Sequence, residues 1–163
     1  MKKRCEWAKD EPNTTYHDNE WGIPVHDDVI LFEFLILEGA QAGLSWSTIL
    51  NRRNGYRIAF SNFDVVAVSK YTQNHVKKLV QNKDIIRNKL KINSAINNAK
   101  QFIKIQKEFG SFDEYLWGFV NHKPIKNNFK KYSDLVCSSI ISEKLSQDLK
   151  KHGFTFVGPI ICY

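Results

Sequence analysis

The chain has 163 residues, 42% hydrophobic and 25% charged, a composition typical of one globular domain rather than a disordered segment. No apolar run approaches the ~20 residues of a membrane-spanning helix, and no apolar stretch follows the basic amino terminus as in a secretion signal. The three cysteines fit no disulfide pattern and are typical of a reducing compartment. We therefore expect a cytoplasmic protein with no membrane partner.

Charge is distributed unevenly along the chain. Residues 1–46 hold four Lys or Arg and nine Asp or Glu, a net charge of −5, whereas residues 47–163 hold twenty and eight, a net charge of +12. A basic surface of this kind is expected of a protein that binds phosphates of nucleic acid. Biased codon composition explains the many Lys and Asn equally well, so charge admits a nucleic-acid partner without establishing one.

The first half of the chain predicts two main helices. Asp27 and Asp28 can cap a helix over the apolar run 29–37, which we expect to be central and buried. A second helix is predicted to begin near Ser45 and to continue through Arg57, with apolar and basic faces at helical spacing. The stretch before them, residues 16–22, is polar and typical of a turn.

The second half predicts further helices separated by turn-forming residues. They are two short pieces between residues 64 and 81, a long amphipathic helix around 92–103, an aromatic-rich helix over 112–120 and a capped helix over 142–152. Residues 123–133 are expected to form the longest surface loop. With no convincing strand, repeat or linker, the sequence predicts a single all-α domain over residues 1–163.

Glu38 is a single carboxylate near the end of the apolar central helix. A buried carboxylate either finds a partner or shifts its pKa, because leaving it charged and desolvated costs several kcal/mol. One interpretation is a salt bridge to a lysine or arginine elsewhere. The other is that Glu38 faces a cavity and meets hydrogen-bond donors or positive charge on a ligand.

Aromatic residues accompany Glu38 on both sides in the sequence. Tyr16, Trp21 and Trp46 can be core residues, but paired aromatic faces also bind a flat cationic ring. The Gly43-Leu44 pair follows the predicted helix end. A leucine on a glycine hinge is the kind of wedge that enters a base stack, although it can equally cover the core as a loop residue.

The chain around residue 84 predicts a helical hairpin with a basic surface. A helix ends near Gln81, a short turn contains Ile85 and Ile86, and the next helix starts near Lys89. The side chains available to phosphates are Lys77, Lys78, Lys83, Arg87, Lys89 and Lys91. The turn lacks the glycines that let backbone N–H groups approach a phosphate, so an ordinary hairpin with a solvated basic face is an equal alternative.

Five motifs together resemble the bacterial 3-methyladenine DNA glycosylase I family, and the similarity runs from Cys5 to Tyr163. The motifs are residues 16–22, 38–46, 79–87, 116–121 and 153–158. The resemblance implies a compact helical glycosylase fold of the helix-hairpin-helix superfamily with a cleft for a flipped base. The implied reaction is hydrolysis of the N-glycosidic bond of 3-methyladenine in double-stranded DNA, by a monomer.

The resemblance also implies roles for individual residues. Glu38 would be the catalytic residue and accept hydrogen bonds from the extruded base, Tyr16 and Trp46 would sandwich that base, and Trp21 would line the pocket. The DNA-binding residues implied by the motifs are Gly43 and Leu44 at the gap in the duplex and Lys83, Arg87 and Lys89 at the phosphates. No motif places a lysine for a Schiff base, so we expect a monofunctional enzyme without strand cleavage.

A zinc site is the point at which the chain departs from the family pattern. Members of the family resemble one another in a zinc clip that joins the two termini, and Cys5 and His17 match its amino-terminal half. The carboxy-terminal pair of ligands would lie beyond Tyr163. Because two ligands do not make a closed tetrahedral site, we expect zinc to be absent or incomplete.

Two other functions fit the same residues. One is a catalytically impaired remnant of the family that still binds DNA through its basic hairpin. The other is a protein that binds small purines and has no affinity for DNA.

Overall fold

In the computed structural model, which describes residues 4–129, 131 and 134–163, every regular element is a helix. The elements are α1 (Asn13–Asn19), α2 (Asp28–Gln41), α3 (Trp46–Leu50), α4 (Arg53–Ala59), a 3₁₀ turn (Ser61–Phe63), α5 (Val65–Ser69), α6 (Gln73–Gln81), α7 (Lys89–Phe109), α8 (Phe112–Gly118) and α9 (Ile140–Lys151). The predicted all-α fold is confirmed. Residues 130, 132 and 133 lie outside the described residues, so the predicted loop over 123–133 is confirmed only for 123–129 and 131, which form no helix.

The core lies between α2 and α7. The Asp27 carboxylate accepts hydrogen bonds from the backbone N–H groups of Val29 and Ile30 at 2.9 and 3.0 Å, so α2 begins with the predicted cap. Phe32 of α2 and Phe102 of α7 are fully buried, and their ring centroids lie 5.2 Å apart. The prediction of a buried central helix is confirmed except in its first turn, where Val29 and Ile30 are exposed.

The prediction of one helix running from Ser45 past Arg57 is wrong. Ser45 caps α3 by accepting a hydrogen bond from Thr48 N–H, but this helix ends at Leu50 and α4 begins at Arg53. The side-chain amide of Asn51 donates to the carbonyl of Ser47 at 2.9 Å. The backbone N–H of Asn51 still donates to the same carbonyl at 3.0 Å, and α3 ends where the N–H of Arg52 donates instead to the carbonyl of Ile49, three residues back, at 2.9 Å.

The segment over residues 16–22 is also more regular than predicted. Residues 13–19 form α1, which carries Tyr16 and His17, and residues 20–22, Trp21 among them, lie in the turn that follows. The remaining predictions are closer, because α5 and α6 are the two short pieces and α7 is the long amphipathic helix.

Residues 82–88 connect α6 and α7 at the bounds predicted for the hairpin, and their identity as a helix-hairpin-helix motif stays a prediction. This connection packs closely on α4, since a Cβ on Gly55 would lie 2.2 Å from the carbonyl oxygen of Asp84. The backbone N–H of Ile86 donates to the hydroxyl of Tyr56 at 3.3 Å, and Ile85 is buried. A small residue of α4 and the buried Ile85 therefore hold the hairpin in place.

The segment after α9 is held by polar side chains of α7. Asn98 donates to the carbonyl of Thr155 and accepts from its N–H, both at 2.9 Å. The next residue, Phe156, has a φ of 55° and lies against Gly39 of α2, where a Cβ would be 3.4 Å from that of Phe156. The carboxy-terminal segment thus packs behind the last turn of α2.

Replacing Gly55 with alanine should destabilise the protein. The new methyl group would meet the backbone of Asp84, which cannot move without displacing the hairpin, and overpacking of this kind costs about 1–3 kcal/mol. Thermal denaturation should show a fall in Tm of a few degrees, at about 2–4 °C per kcal/mol. The matched variant Gly118→Ala, where nothing lies within 4 Å of the added Cβ, should leave Tm nearly unchanged. Equal Tm values for both variants would contradict the close packing of α4 on the hairpin.

Candidate functional site

A cavity of about 390 Å³ opens between α1, the end of α2 and the start of α3. Four of its nine lining residues are aromatic and one is a carboxylate. The lining residues are Trp7, Asn13, Tyr16, Trp21, Glu38, Gln41, Ser45, Trp46 and Ser47. The structure therefore brings together Tyr16, Trp21, Glu38 and Trp46, the four residues that the sequence placed in a base-binding pocket.

Glu38 is half-buried in this cavity and, among the residues that the structure describes, has no hydrogen-bond or ion-pair partner. Burial raises the pKa of its carboxyl group to about 7. Burial, and then the charge of Glu38, raise the pKa of the neighbouring Tyr16 above its ordinary value. Of the two interpretations of Glu38, the cavity is found and the salt bridge is not.

The salt bridge lies instead at Glu33, which the sequence analysis overlooked when it treated Glu38 as the only carboxylate of this helix. Glu33 is buried and accepts hydrogen bonds from Arg53 at 2.7 Å and from Arg57 at 2.8 Å. Burial alone would raise the pKa of Glu33, but the hydrogen bonds from the two arginines outweigh it and the pKa is lowered. Arg53 and Arg57 stand four positions apart in the sequence, and this spacing is the signal that could have revealed the pair.

Arg53 also connects the wall of the cavity to α2. It donates to both carboxylate oxygens of Glu20 at 2.8 Å, and its guanidinium lies 5.4 Å from the ring centroid of Phe34. Glu20 follows α1, so this arginine holds the helix that carries Tyr16 against the helix that carries Glu38.

The aromatic rings of the cavity are in mutual contact. The Tyr16 and Trp46 centroids lie 5.3 Å apart with their planes 60° apart. Two rings that sandwich a third need about 7 Å between parallel planes. The predicted sandwich therefore stays a prediction, and it requires the two rings to separate and turn. The indole N–H of Trp46 is the one buried side-chain donor in the described part of the chain that lacks an acceptor.

Trp7 is a wall of the cavity that the sequence analysis missed. Its ring packs edge-on against Trp21, with centroids 5.4 Å apart, and lies 6.2 Å from that of Tyr16. Trp7 precedes the first helix and belongs to no apolar repeat, so periodicity gave no signal for it. Trp21 itself is 44% exposed and forms the rim.

The turn between α2 and α3 exposes a leucine at the edge of the cavity. Gly43 has a φ of 77°, which side-chain-bearing residues rarely adopt, and Leu44 is 40% exposed. The N–H of Leu44 donates to the carbonyl of Gln41 at 2.6 Å. The turn thus has the shape expected of a wedge, and its role at a duplex stays a prediction.

Of the six predicted cations, five are exposed, Lys77 and Lys78 on α6 among them, and only Lys91 is half-buried. Lys83, Arg87 and Lys89 are exposed along residues 83–89. Lys91, which the sequence analysis grouped with them, is half-buried and donates to the carbonyls of Ala40 and Ala42 at 2.8 and 2.6 Å. The prediction that Lys91 is available to phosphates is therefore wrong.

The predicted half of a zinc clip lies together but does not form a metal site. The N–H of Cys5 donates to Nε2 of His17 at 3.3 Å, so Nδ1 carries the proton and donates to Asp18 at 3.0 Å. Neither ring nitrogen keeps a free lone pair for a metal. Within residues 4–129, 131 and 134–163, no group of three or more His, Cys, Asp or Glu could hold a metal ion.

No helix in the described part of the chain is both long and apolar enough to cross a membrane.

Comparisons with known proteins agree on one family. The family model for methyladenine glycosylase matches residues 7–163. The chain is 43% identical to DNA-3-methyladenine glycosylase 1 of Escherichia coli K12, over 99% of this chain and 87% of that protein.

Solved structures give the same result. A crystal structure of 3-methyladenine DNA glycosylase I has a TM-score of 0.95 at 40% identity, over 99% of this chain and 89% of that one. A tyrosine-to-phenylalanine variant of a 3-methyladenine DNA glycosylase I, in complex with 3-methyladenine, has a TM-score of 0.92 at 36% identity, over 94% and 83% of the two chains.

Replacing Glu38 with glutamine should stabilise the protein at high pH. Because burial raises the pKa of Glu38 from 4.5 to about 7, its carboxyl group does not lower the free energy of unfolding of the wild type below pH 4.5. That free energy falls as the pH rises through about 7, because the desolvated carboxylate must then ionise. One pKa unit corresponds to about 1.4 kcal/mol, and with a discount for partial exposure we expect a gain of about 2 kcal/mol at pH 8. Thermal denaturation at pH 5 and pH 8 measures it. The exposed control Glu6→Gln should show no such pH dependence, and a Glu38→Gln effect equal at both pH values would refute the assigned cause.

Metal analysis should find zinc well below one equivalent per chain, because Nε2 of His17 accepts from Cys5 N–H and no group of three or more His, Cys, Asp or Glu among the described residues could hold a metal ion. We expect a chelator to leave Tm unchanged, and Cys5→Ser to leave the metal content unchanged. One tightly held zinc per chain, with a fall in Tm on chelation, would show that other ligands complete the clip.

Proposed function

Because the chain belongs to the methyladenine glycosylase family, we propose that it is a DNA repair glycosylase that removes 3-methyladenine from alkylated double-stranded DNA. The observation that carries the proposal is Glu38, a half-buried carboxylate without a partner among the described residues, in a cavity lined by aromatic rings. A relative of this chain has been solved with 3-methyladenine bound.

The cavity suits a flat cation of purine size. Its volume of about 390 Å³ lies within the range of small-molecule sites, roughly 300–1,000 Å³. Aromatic faces attract a cationic ring, and a carboxylate accepts hydrogen bonds from the exocyclic amine of adenine. A cationic ligand would also favour the ionised form of Glu38, so its binding offsets the cost of desolvating that carboxylate. A neutral base offers no such compensation, which supports selectivity for alkylated adenine.

The reaction needs little acid catalysis. A 3-methylated adenine already carries positive charge, so the electron pair of the breaking C1′–N bond leaves with a base that becomes neutral. Water supplies the new oxygen on C1′ and releases its proton. Glu38 acts as the catalytic residue by holding the base and stabilising the positive charge that develops on the sugar at C1′ as the bond breaks.

The aromatic residues are proposed to bind the extruded base. Tyr16 and Trp46 would separate to admit it between them, and Trp21 would line the pocket at its rim. Trp7, packed against Trp21, is positioned to support that rim.

The DNA is proposed to meet two surfaces of the protein. Gly43 and Leu44 would occupy the gap left by the flipped nucleotide, since extrusion leaves the neighbouring bases unstacked. The hairpin cations Lys83, Arg87 and Lys89 would bind phosphates and set the register of the duplex. No lysine lines the cavity in the described part of the chain, which supports a monofunctional enzyme that leaves the strand intact.

Release of free 3-methyladenine from methylated duplex DNA tests the proposal. Wild-type protein should release the base above the spontaneous rate, and Glu38→Gln should lower kcat/KM about 100-fold, as loss of one charge-stabilising group typically does. The control Glu143→Gln, an exposed glutamate of α9, should match wild type.

Two other outcomes would overturn the proposal. Equal background release by wild type and Glu38→Gln, with salt-dependent DNA binding retained, would identify a DNA-binding remnant of the family. Tight binding of free 3-methyladenine without affinity for DNA at low salt would identify a purine-binding protein.

A further inference from the structure

The carbonyl groups at the end of α2 receive their donor from another helix. The last turn of α2 contains no basic residue, and the chain leaves the helix at Ala42. Lys91, in the first turn of α7, donates to the carbonyls of Ala40 and Ala42 at 2.8 and 2.6 Å. A cation at a helix C-terminus satisfies carbonyls that lack intrahelical partners and interacts favourably with the helix dipole.

The environment of Lys91 differs from that of its basic neighbours. Lys89 is exposed two residues earlier, whereas Lys91 is half-buried and burial lowers the pKa of its ammonium group. The ammonium group of Lys91 donates to two backbone carbonyls in place of water, so it is not directed to a phosphate.

The two carbonyls bracket the start of the turn that carries Leu44. Ala42 directly precedes Gly43, whose φ of 77° is a conformation that residues with a side chain rarely adopt. Glu38 and Gln41 line the cavity before this turn, and Ser45 and Trp46 line it after the turn. A fixed Ala42 carbonyl therefore fixes the point from which Leu44 projects.

Lys91 also lies next to the hairpin. Asn88, the last residue of the connection before α7, accepts hydrogen bonds from the N–H groups of Leu90 and Lys91 at 2.9 and 3.2 Å. The lysine thus connects the proposed phosphate-binding segment, residues 83–89, to the turn over 42–44.

We propose that Lys91 is a positioning residue that holds Gly43 and Leu44 in the conformation that enters the duplex, at a fixed distance from the phosphates bound by the hairpin. The inference rests on the proposed function and adds to it a residue that touches neither base nor phosphate. The effect of Lys91 on base release should depend on Leu44, and this dependence distinguishes positioning from a general effect on folding.

A double-mutant cycle tests the proposal with release of 3-methyladenine from methylated duplex DNA as the readout. Lys91→Met, which keeps the length of the side chain but removes its charge and donors, should lower kcat/KM about 10- to 100-fold, because small misplacements near a reacting centre cost that much. In a Leu44→Ala background, Lys91→Met should lower kcat/KM by less than about twofold, since the effects of residues that act through one another are not additive. Lys91→Arg should restore most of the wild-type rate.

Two further measurements exclude other roles for Lys91. The affinity for free 3-methyladenine should stay within about twofold of wild type, because Lys91 is not among the residues that line the cavity. The slope of log affinity for DNA against log salt should not change, whereas Lys89→Met should reduce that slope by about one. Lys100→Met removes the same charge from an exposed position of α7 and should match wild type in every assay.

Several results would overturn the inference. They are an equal loss in the wild-type and Leu44→Ala backgrounds, a proportional loss of free-base binding, or a reduced salt slope for Lys91→Met. If Lys91→Met does not fold, Lys91→Gln, which can keep one hydrogen bond, enters the same cycle under the same criteria. If the wild type releases base and the effects of the two substitutions are additive, only the role of Lys91 is refuted. If the wild type releases no base, the proposed function itself is refuted.

Discussion

The free energy cost of placing a carboxylate in an aromatic cavity governs the design of this site. Two glutamates five positions apart on α2 meet opposite environments: Glu33 is neutralised by Arg53 and Arg57, and Glu38 has no partner among the described residues. The pairing at Glu33 stabilises the same helix that Glu38 destabilises when ionised, and through Glu20 it holds α1 in place. The cavity can therefore keep an unsatisfied carboxylate because the structure beside it is rigidly bonded.

Packing and charge divide the molecule into a side that holds the cavity and a side that carries the exposed cations of the hairpin. The acidic first part of the chain builds most of the cavity, and the basic remainder supplies the exposed cations of the hairpin. Gly55 and Tyr56 of α4 fix the hairpin, and Lys91 connects it to the end of α2. These contacts set the distance between the two sides, and under the proposed function that distance must match the one between a duplex and its extruded base.

Local patterns in the sequence predicted the features that depend on local chemistry. The Asp27 cap, the buried α2, the long α7 and the gathering of Tyr16, Trp21, Trp46 and Glu38 follow from capping residues, apolar spacing and motif resemblance. The break between α3 and α4 did not follow, because no proline or glycine at residues 50–53 marks the 3₁₀-type bond of Arg52 at which α3 ends. The Glu33 pair, the Trp7 wall and the burial of Lys91 depend on contacts between residues distant in sequence, for which a single sequence offers little signal.

The contact between Asn98 and Thr155 has a consequence for association between chains. An extended backbone segment usually offers its N–H and C=O groups to a neighbouring strand, and such open edges recruit further copies of the same chain. At Thr155 both groups are already bonded to one asparagine side chain. A single amide thus satisfies both backbone groups of Thr155, as a partner strand would, and at this residue neither group is left to pair with a further chain.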